Sequence, residues 1–191
     1  MPKRNRMQRQ VFNLPKRHRW KAKPGNQIFV ANRGDVRFEF PGSWVFDRSS
    51  GGAGQSVRFY DGNPPNDNIR LEVSVLTALA EVAGRIPLAP LLESVTGETR
   101  EGMEVIQQGS PYAMQLPNLD MAWLEMEYID PEGKRPAFTR FCLARGSGVT
   151  AYITMDFWPE DADKAKAAWD DVLGSLRLGD YLEHPFFGPN G

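Results

Sequence analysis

VTAYITMDFWPEDADKAKAAWDDVLGSLRL, residues 149–178, is the stretch from which the fold is read. Val149, Ala151, Ile153, Met155 and Phe157 alternate with Thr150, Tyr152, Thr154 and Asp156, the period of two that gives a strand one apolar and one more polar face. Pro159 follows, and proline suits a first helical position because its missing N–H would be unpaired there anyway. Glu160, Asp161 and Asp163 complement the positive end of the helix dipole. Ala162, Ala165, Trp169, Val172, Leu173 and Leu176 then recur at spacings of three and four, with Lys164, Lys166, Asp170 and Asp171 on the other side. The stretch predicts a buried strand running into an amphipathic helix over 160–177, closed by Gly179.

Outward from there, the preceding segments read as the sheet on which that helix lies. Gln27–Ala31 and Asp35–Phe40 are predicted strands joined by Asn32-Arg33-Gly34, and Trp44–Phe46, Ser56–Tyr60 and Ile69–Val75 follow as further strands. Ser49–Gly54 is a glycine-rich loop and Asp61–Asn68 a turn-rich connection. Thr77–Val82 has helical composition, but the helix in this region is expected near 88–96, with Pro90 in its first turn and Gly97 ending it. Met103–Gln107, Tyr112–Leu116, Met121–Ile129 and Ala137–Leu143 are strands, with turns at Asp130–Gly133 and Arg145–Gly148. The order of strands, short helix, antiparallel meander and long C-terminal helix predicts an α+β layered sandwich. The expected organisation is a basic arm at 1–24, a sandwich domain at 25–179 and a tail at 180–191.

With 41% hydrophobic and 25% charged residues, 191 residues suit one globular domain with tails. No window reaches the roughly 20 apolar residues of a membrane-spanning helix, and the N-terminus lacks the apolar core of a secretory signal. Cys142 is the single cysteine, and both histidines, His18 and His184, fall in the expected arm and tail. That inventory excludes a disulfide framework, a thiolate metal cage and a Ser-His pair within the domain. We therefore expect no catalytic residues, no metal and no cofactor.

Charge is unevenly spread. Residues 1–23 hold nine Lys/Arg and no acid, so 14 of the 23 basic residues face all 24 acids in the remainder, a net of −10. The arm is the strongest functional signal. Arg4, Arg6, Arg9, Arg17 and Arg19, interleaved with Phe12 and Trp20, suit an anionic partner: a nucleic acid, an acidic protein surface or an anionic membrane surface. The alternative is a solubilising tail.

Other chemistry-bearing groups are weaker. Gly51-Gly52-Ala53-Gly54 lacks the Lys-Ser/Thr ending of a phosphate loop. Glu125 and Glu127 share a strand face and, with Asp156 on a neighbouring strand, would form the carboxylate site of an enzyme reading; a solvated face with Glu125 beside Arg140 is the simpler expectation. Trp123 shares that face and is the best candidate for an exposed binding aromatic.

Phe38-Glu39-Phe40-Pro41-Gly42-Ser43-Trp44, the hairpin from Tyr128 to Arg140, the strand at Tyr152–Thr154 and the ending Trp169…Leu173-Gly174-Ser175-Leu176-Arg177-Leu178 resemble the PsbP-like family over about residues 28–179. The resemblance implies the α-β-α sandwich shared by photosystem II PsbP and the Ran-binding Mog protein, built on an antiparallel sheet. It also implies a non-enzymatic accessory or adaptor role, docking on a larger assembly through the sheet face and the arm. The expected location is cytoplasmic, or peripheral to a membrane complex on the cytoplasmic side. A nucleic-acid-binding role for the arm is the alternative.

Overall fold

A computed structural model describes residues 16–47, 55–76, 86–99 and 102–189. Arg4, Arg6, Arg9 and Phe12 of the arm, the glycine-rich loop at 49–54 and the segment 77–82 lie outside the described residues.

Two antiparallel sheets make up the β-structure. In the smaller, β1 (Asn26–Ala31), β2 (Val36–Pro41) and β11 (Arg177–Leu178) lie in that order. In the larger, β3 (Val45–Asp47), β4 (Gln55–Tyr60), β5 (Ile69–Val75), β10 (Val149–Phe157), β9 (Pro136–Gly146), β8 (Leu119–Ile129) and β6 (Glu104–Gln108) follow one another, and β7 (Tyr112–Leu116) also pairs with β8. Helix α1 spans Leu88–Thr99 and α2 spans Ala162–Ser175, preceded by a 3-10 turn at Pro159–Asp161.

The alternation in β10 decides the layers. Ala151, Ile153, Met155 and Phe157 join a core formed with α2 and the small sheet, including Phe38, Phe40, Phe59, Trp169, Val172 and Leu176. The opposite face of β8 and β9, with Leu124, Met126, Phe141 and Leu143, packs on Leu88 and Leu92 of α1. The result is the α+β sandwich expected from the sequence: α1 on one face of the large sheet, α2 and the small sheet on the other. No helix among the described residues is long and apolar enough to cross a membrane.

Four local expectations are corrected. Helix α1 continues through Gly97 to Thr99, with Thr96 donating to the Leu92 carbonyl at 2.9 Å. The β9–β10 turn is only Ser147-Gly148, both at positive φ, so Arg145 and Gly146 belong to β9. Trp44 precedes β3 and is buried. Helix α2 stops at Ser175, and Arg177-Leu178 instead supplies backbone partners to the edge of β2, which buried polar backbone requires. Gly179 therefore caps no helix. It sits at φ +64 where an added Cβ would lie 2.6 Å from Ser147 Cβ, so the close approach of the β9–β10 turn demands glycine.

Candidate functional site

Beyond α2, the α2-side face of the large sheet continues across β8 and β7. Directly opposed residues of paired strands share a face. The β7–β8 register sets Tyr112 opposite Trp123, Met114 opposite Met121 and Leu116 opposite Leu119. The β8 members of these pairs are buried or half-buried, whereas Tyr112, Met114 and Leu116 are 54, 37 and 42% exposed. They form a row of apolar side chains that nothing among the described residues covers. Tyr112 lies 6.1 Å from Trp123, and Trp123 meets Trp169 edge-on at 6.2 Å. Trp123 thus links the exposed row to the core: it is half-buried, where the sequence suggested an exposed aromatic.

Among the described residues, the same face holds one ion pair. The β8–β9 register puts Glu125 opposite Arg140, and Arg140 Nε donates to Glu125 Oε2 at 2.6 Å. Arg140 is only 8% exposed, with its guanidinium 4.9 Å from the Phe157 ring centre and 6.0 Å from that of Trp169. Arg140 Nη1 and Trp169 Nε1 have no hydrogen-bond partner among the described residues. The face is therefore not the simple solvated one that Glu125 and Glu127 suggested, because α2 roofs part of it.

Asp156 takes no part. Its side chain lies on the α1-side face, where its carboxylate accepts from Arg70 Nη2 at 2.6 Å. The carboxylates of the enzyme reading are thus divided between the two faces of the sheet. Tyr128 shares the Asp156 side; burial, helped by the Asp156 and Asp130 carboxylates, pushes its phenol up to about 12. Cys142 is fully buried, and burial pushes its thiol upward, away from the thiolate that a nucleophile requires. Asp61 accepts from Lys164 Nζ and from the N–H groups of Asn68 and Ile69, as a connection-anchoring residue does. Among the described residues no group of three or more His, Cys, Asp or Glu is placed to hold a metal.

The described end of the arm lies along the body. Arg19 N donates to Phe187 O at 2.6 Å, and Trp20 Nε1 to Pro185 O at 2.7 Å. Lys23 Nζ pairs with Asp171 of α2 at 2.7 Å, which together with Asn26 holds that carboxyl low against the opposing effect of burial. Arg17 is exposed. Trp20 is half-buried beneath the Arg37 guanidinium, 5.7 Å from its ring centre, and so is engaged within the fold. Arg37 itself, and Arg177 across from it on β11, carry no motif that would single them out in the sequence.

The α-β-α arrangement has counterparts among known proteins. Cyanobacterial PsbP (CyanoP) from Synechocystis sp. PCC 6803 matches it with a TM-score of 0.54 at 17% identity, over 82% of this chain and 94% of that one. LpqN of Mycobacterium tuberculosis, described as involved in cell envelope biogenesis, matches with a TM-score of 0.51 at 16% identity, over 79% and 88%. At such identities the likeness is one of fold, and it bears out the resemblance drawn from the Pro-x-x-Trp strand and the terminal helix. In sequence the chain is 36% identical over 181 residues to the uncharacterized protein alr1449 of Nostoc sp. (strain PCC 7120), covering 94% of this chain and 91% of that protein. A family profile described as Alr1449 matches residues 27–182, from the first strand to just past the last; the chain belongs to the Alr1449 family and carries a PsbP-type fold.

Proposed function

We propose that the protein is a non-enzymatic accessory or adaptor subunit that docks on a larger protein assembly through the β7 face of its large sheet. The observation that carries the reading is the exposed row Tyr112, Met114 and Leu116 beside half-buried Trp123. A contiguous exposed apolar patch marks a binding surface more often than a free one. Its setting points to a protein. Over residues 104–116 the chain carries one charge, Glu104, and among the described residues β7 pairs only with β8, leaving its outer edge open. Natural edge strands are normally blunted by charge, proline or cover; β7 has prolines only at its flanks, Pro111 and Pro117, and an uncharged open edge between them is suited to receive an extended segment of another chain as an added strand. Tyr112, Met114 and Leu116 would then meet that partner's apolar side chains while the backbone supplied hydrogen bonds. The assembly is cytoplasmic or on the cytoplasmic side of a membrane. The nucleic-acid reading has less support, because Trp20 is held against Pro185 and Lys23 against Asp171.

Size-exclusion of native extract from the source cells tests this. The native protein should elute in a high-mass fraction, and Met114→Lys with Leu116→Lys should shift it to monomer size without lowering its thermal midpoint. Elution of the unaltered protein as a 21.5 kDa monomer would overturn the proposal. So would a purified homodimer split by the same substitutions, since the patch would then belong to a second copy.

A further inference from the structure

Arm and tail close over the small sheet near the end of α2 and leave a cavity of about 400 Å³. Four cations line it, Arg19, Lys21, Arg37 and Arg177, against one carboxylate, Glu39. This concentration of positive charge lies on a body whose residues beyond 23 sum to −10. Glu39 is also partly engaged, since its Oε2 accepts from Lys23 N at 2.8 Å.

The arginines are placed in an unusual way. The β2–β11 register sets Arg177 directly opposite Arg37. Like charges directly opposed across an antiparallel pair are destabilising, so the sheet carries a repulsion that an anion between them would relieve. Arg37 is partly compensated: its Nη2 donates to Asp180 at 2.7 Å, but its Nη1 is buried without a hydrogen-bond partner among the described residues. Arg177 donates to the Leu176 carbonyl at 2.7 Å, and neither it nor Arg19 nor Lys21 has a carboxylate partner among the described residues. Trp20, fixed through its Nε1, adds an aromatic wall beside the cations.

We infer that this cavity is a binding site for a small molecule bearing a phosphomonoester. Its volume is in the range of small-molecule sites, roughly 300–1,000 Å³. Planar guanidinium forks match phosphate oxygens bidentately, and several converging cations suit a dianion better than a single carboxylate. The dianion would be gripped by Arg177, with Arg19 and Lys21 closing on it from the arm, Arg37 adding positive charge from behind while its Nη2 stays on Asp180, and Trp20 flanking the organic part. The inference is independent of the β7 face.

Isothermal titration of the full chain with inorganic phosphate and with phenyl phosphate tests it, at low ionic strength and neutral pH. The expected result is saturable one-to-one binding of both, with phenyl phosphate tighter because Trp20 adds to the phosphate contacts. Equal affinities would assign the site to free phosphate and overturn the organic part of the inference. Arg177→Ala, at an exposed position, should weaken binding at least tenfold, and Arg177→Lys should recover part of the loss. Without ligand, Arg177→Ala should leave the thermal midpoint unchanged or raised, because it removes the like-charge opposition. Met114→Lys should not affect binding. Absence of saturable heat, or affinity untouched in Arg177→Ala, would overturn the inference.

Discussion

Replacing Trp169 by alanine should remove more stability than any other single truncation in α2. Trp169 is 2% exposed and lies between the helix and the large sheet, edge-on to Trp123. A buried tryptophan removes ~150–250 Å² from water. At ~25 cal/mol per Å² that corresponds to ~4–6 kcal/mol, of which the alanine methyl retains a small part while the cavity left behind adds a penalty. The expected cost is ~3–5 kcal/mol, a fall of roughly 6–20 °C in thermal midpoint for a chain of this size. Urea unfolding followed by circular dichroism should show a lower midpoint with an unchanged slope. Phenylalanine at the same position separates packing from polarity. Trp169 Nε1 has no hydrogen-bond partner among the described residues, so Trp169→Phe forfeits area and no hydrogen bond, and it should cost less than half as much as alanine. An unchanged urea midpoint in Trp169→Ala would refute the docking of α2 described here. Equal losses for Phe and Ala would refute the unpartnered indole.

Two further outcomes are expected. Gly179→Ala should lower the thermal midpoint by more than Gly148→Ala: both positions have positive φ, worth ~1–2 kcal/mol for a non-glycine residue, but only at Gly179 would the new Cβ meet a neighbour, at 2.6 Å. Tyr128, whose phenol is raised from 10.0 to about 12, favours folding in its neutral form, so its contribution is complete below pH 10 and is lost as pH climbs from about 10 through 12. Unfolding titrations of Tyr128→Phe should therefore show a shallower alkaline loss of stability than the unaltered protein, and parallel curves would contradict the assignment.

The layers of the fold were legible because β10 and α2 carry two clean periodicities side by side. Val149–Phe157 alternates, and Ala165, Trp169 and Val172 repeat at helical spacing, so both the elements and their buried faces follow from local pattern. Where α2 ends was not legible. Leu176-Arg177-Leu178 continues the helical stripe as well as it forms a strand, and the choice is made by β2, a strand 140 residues earlier whose edge needs partners. The half-burial of Trp123 was not legible for a related reason. Both faces of β8 are apolar enough to be covered, and the alternation Ala122, Leu124, Met126 marks one buried face without revealing that α2 roofs part of the other. The basic cavity was invisible because its lining is gathered from segments far apart in the sequence: the arm, β1, β2, the end of α2, β11 and the tail. Of the arm residues proposed as contacts, Arg19 and Trp20 reach that cavity, while Arg17 stays exposed outside it.

The pairing of β2 with β11 bears on how the chain comes to be folded during synthesis. β1 and β2 form a local hairpin that can close as soon as both leave the ribosome, but its second edge waits for Arg177 and Leu178. At roughly 5–20 residues per second, that wait lasts on the order of 7–27 s. Throughout it, Phe38 and Phe40 face no helix and β2 presents an open row of backbone groups. Completion of the small sheet, and of everything built upon it, thus waits until synthesis has passed Leu178, and a chain cut short before Arg177 would lose the closing strand and leave its first hairpin to pair with strangers.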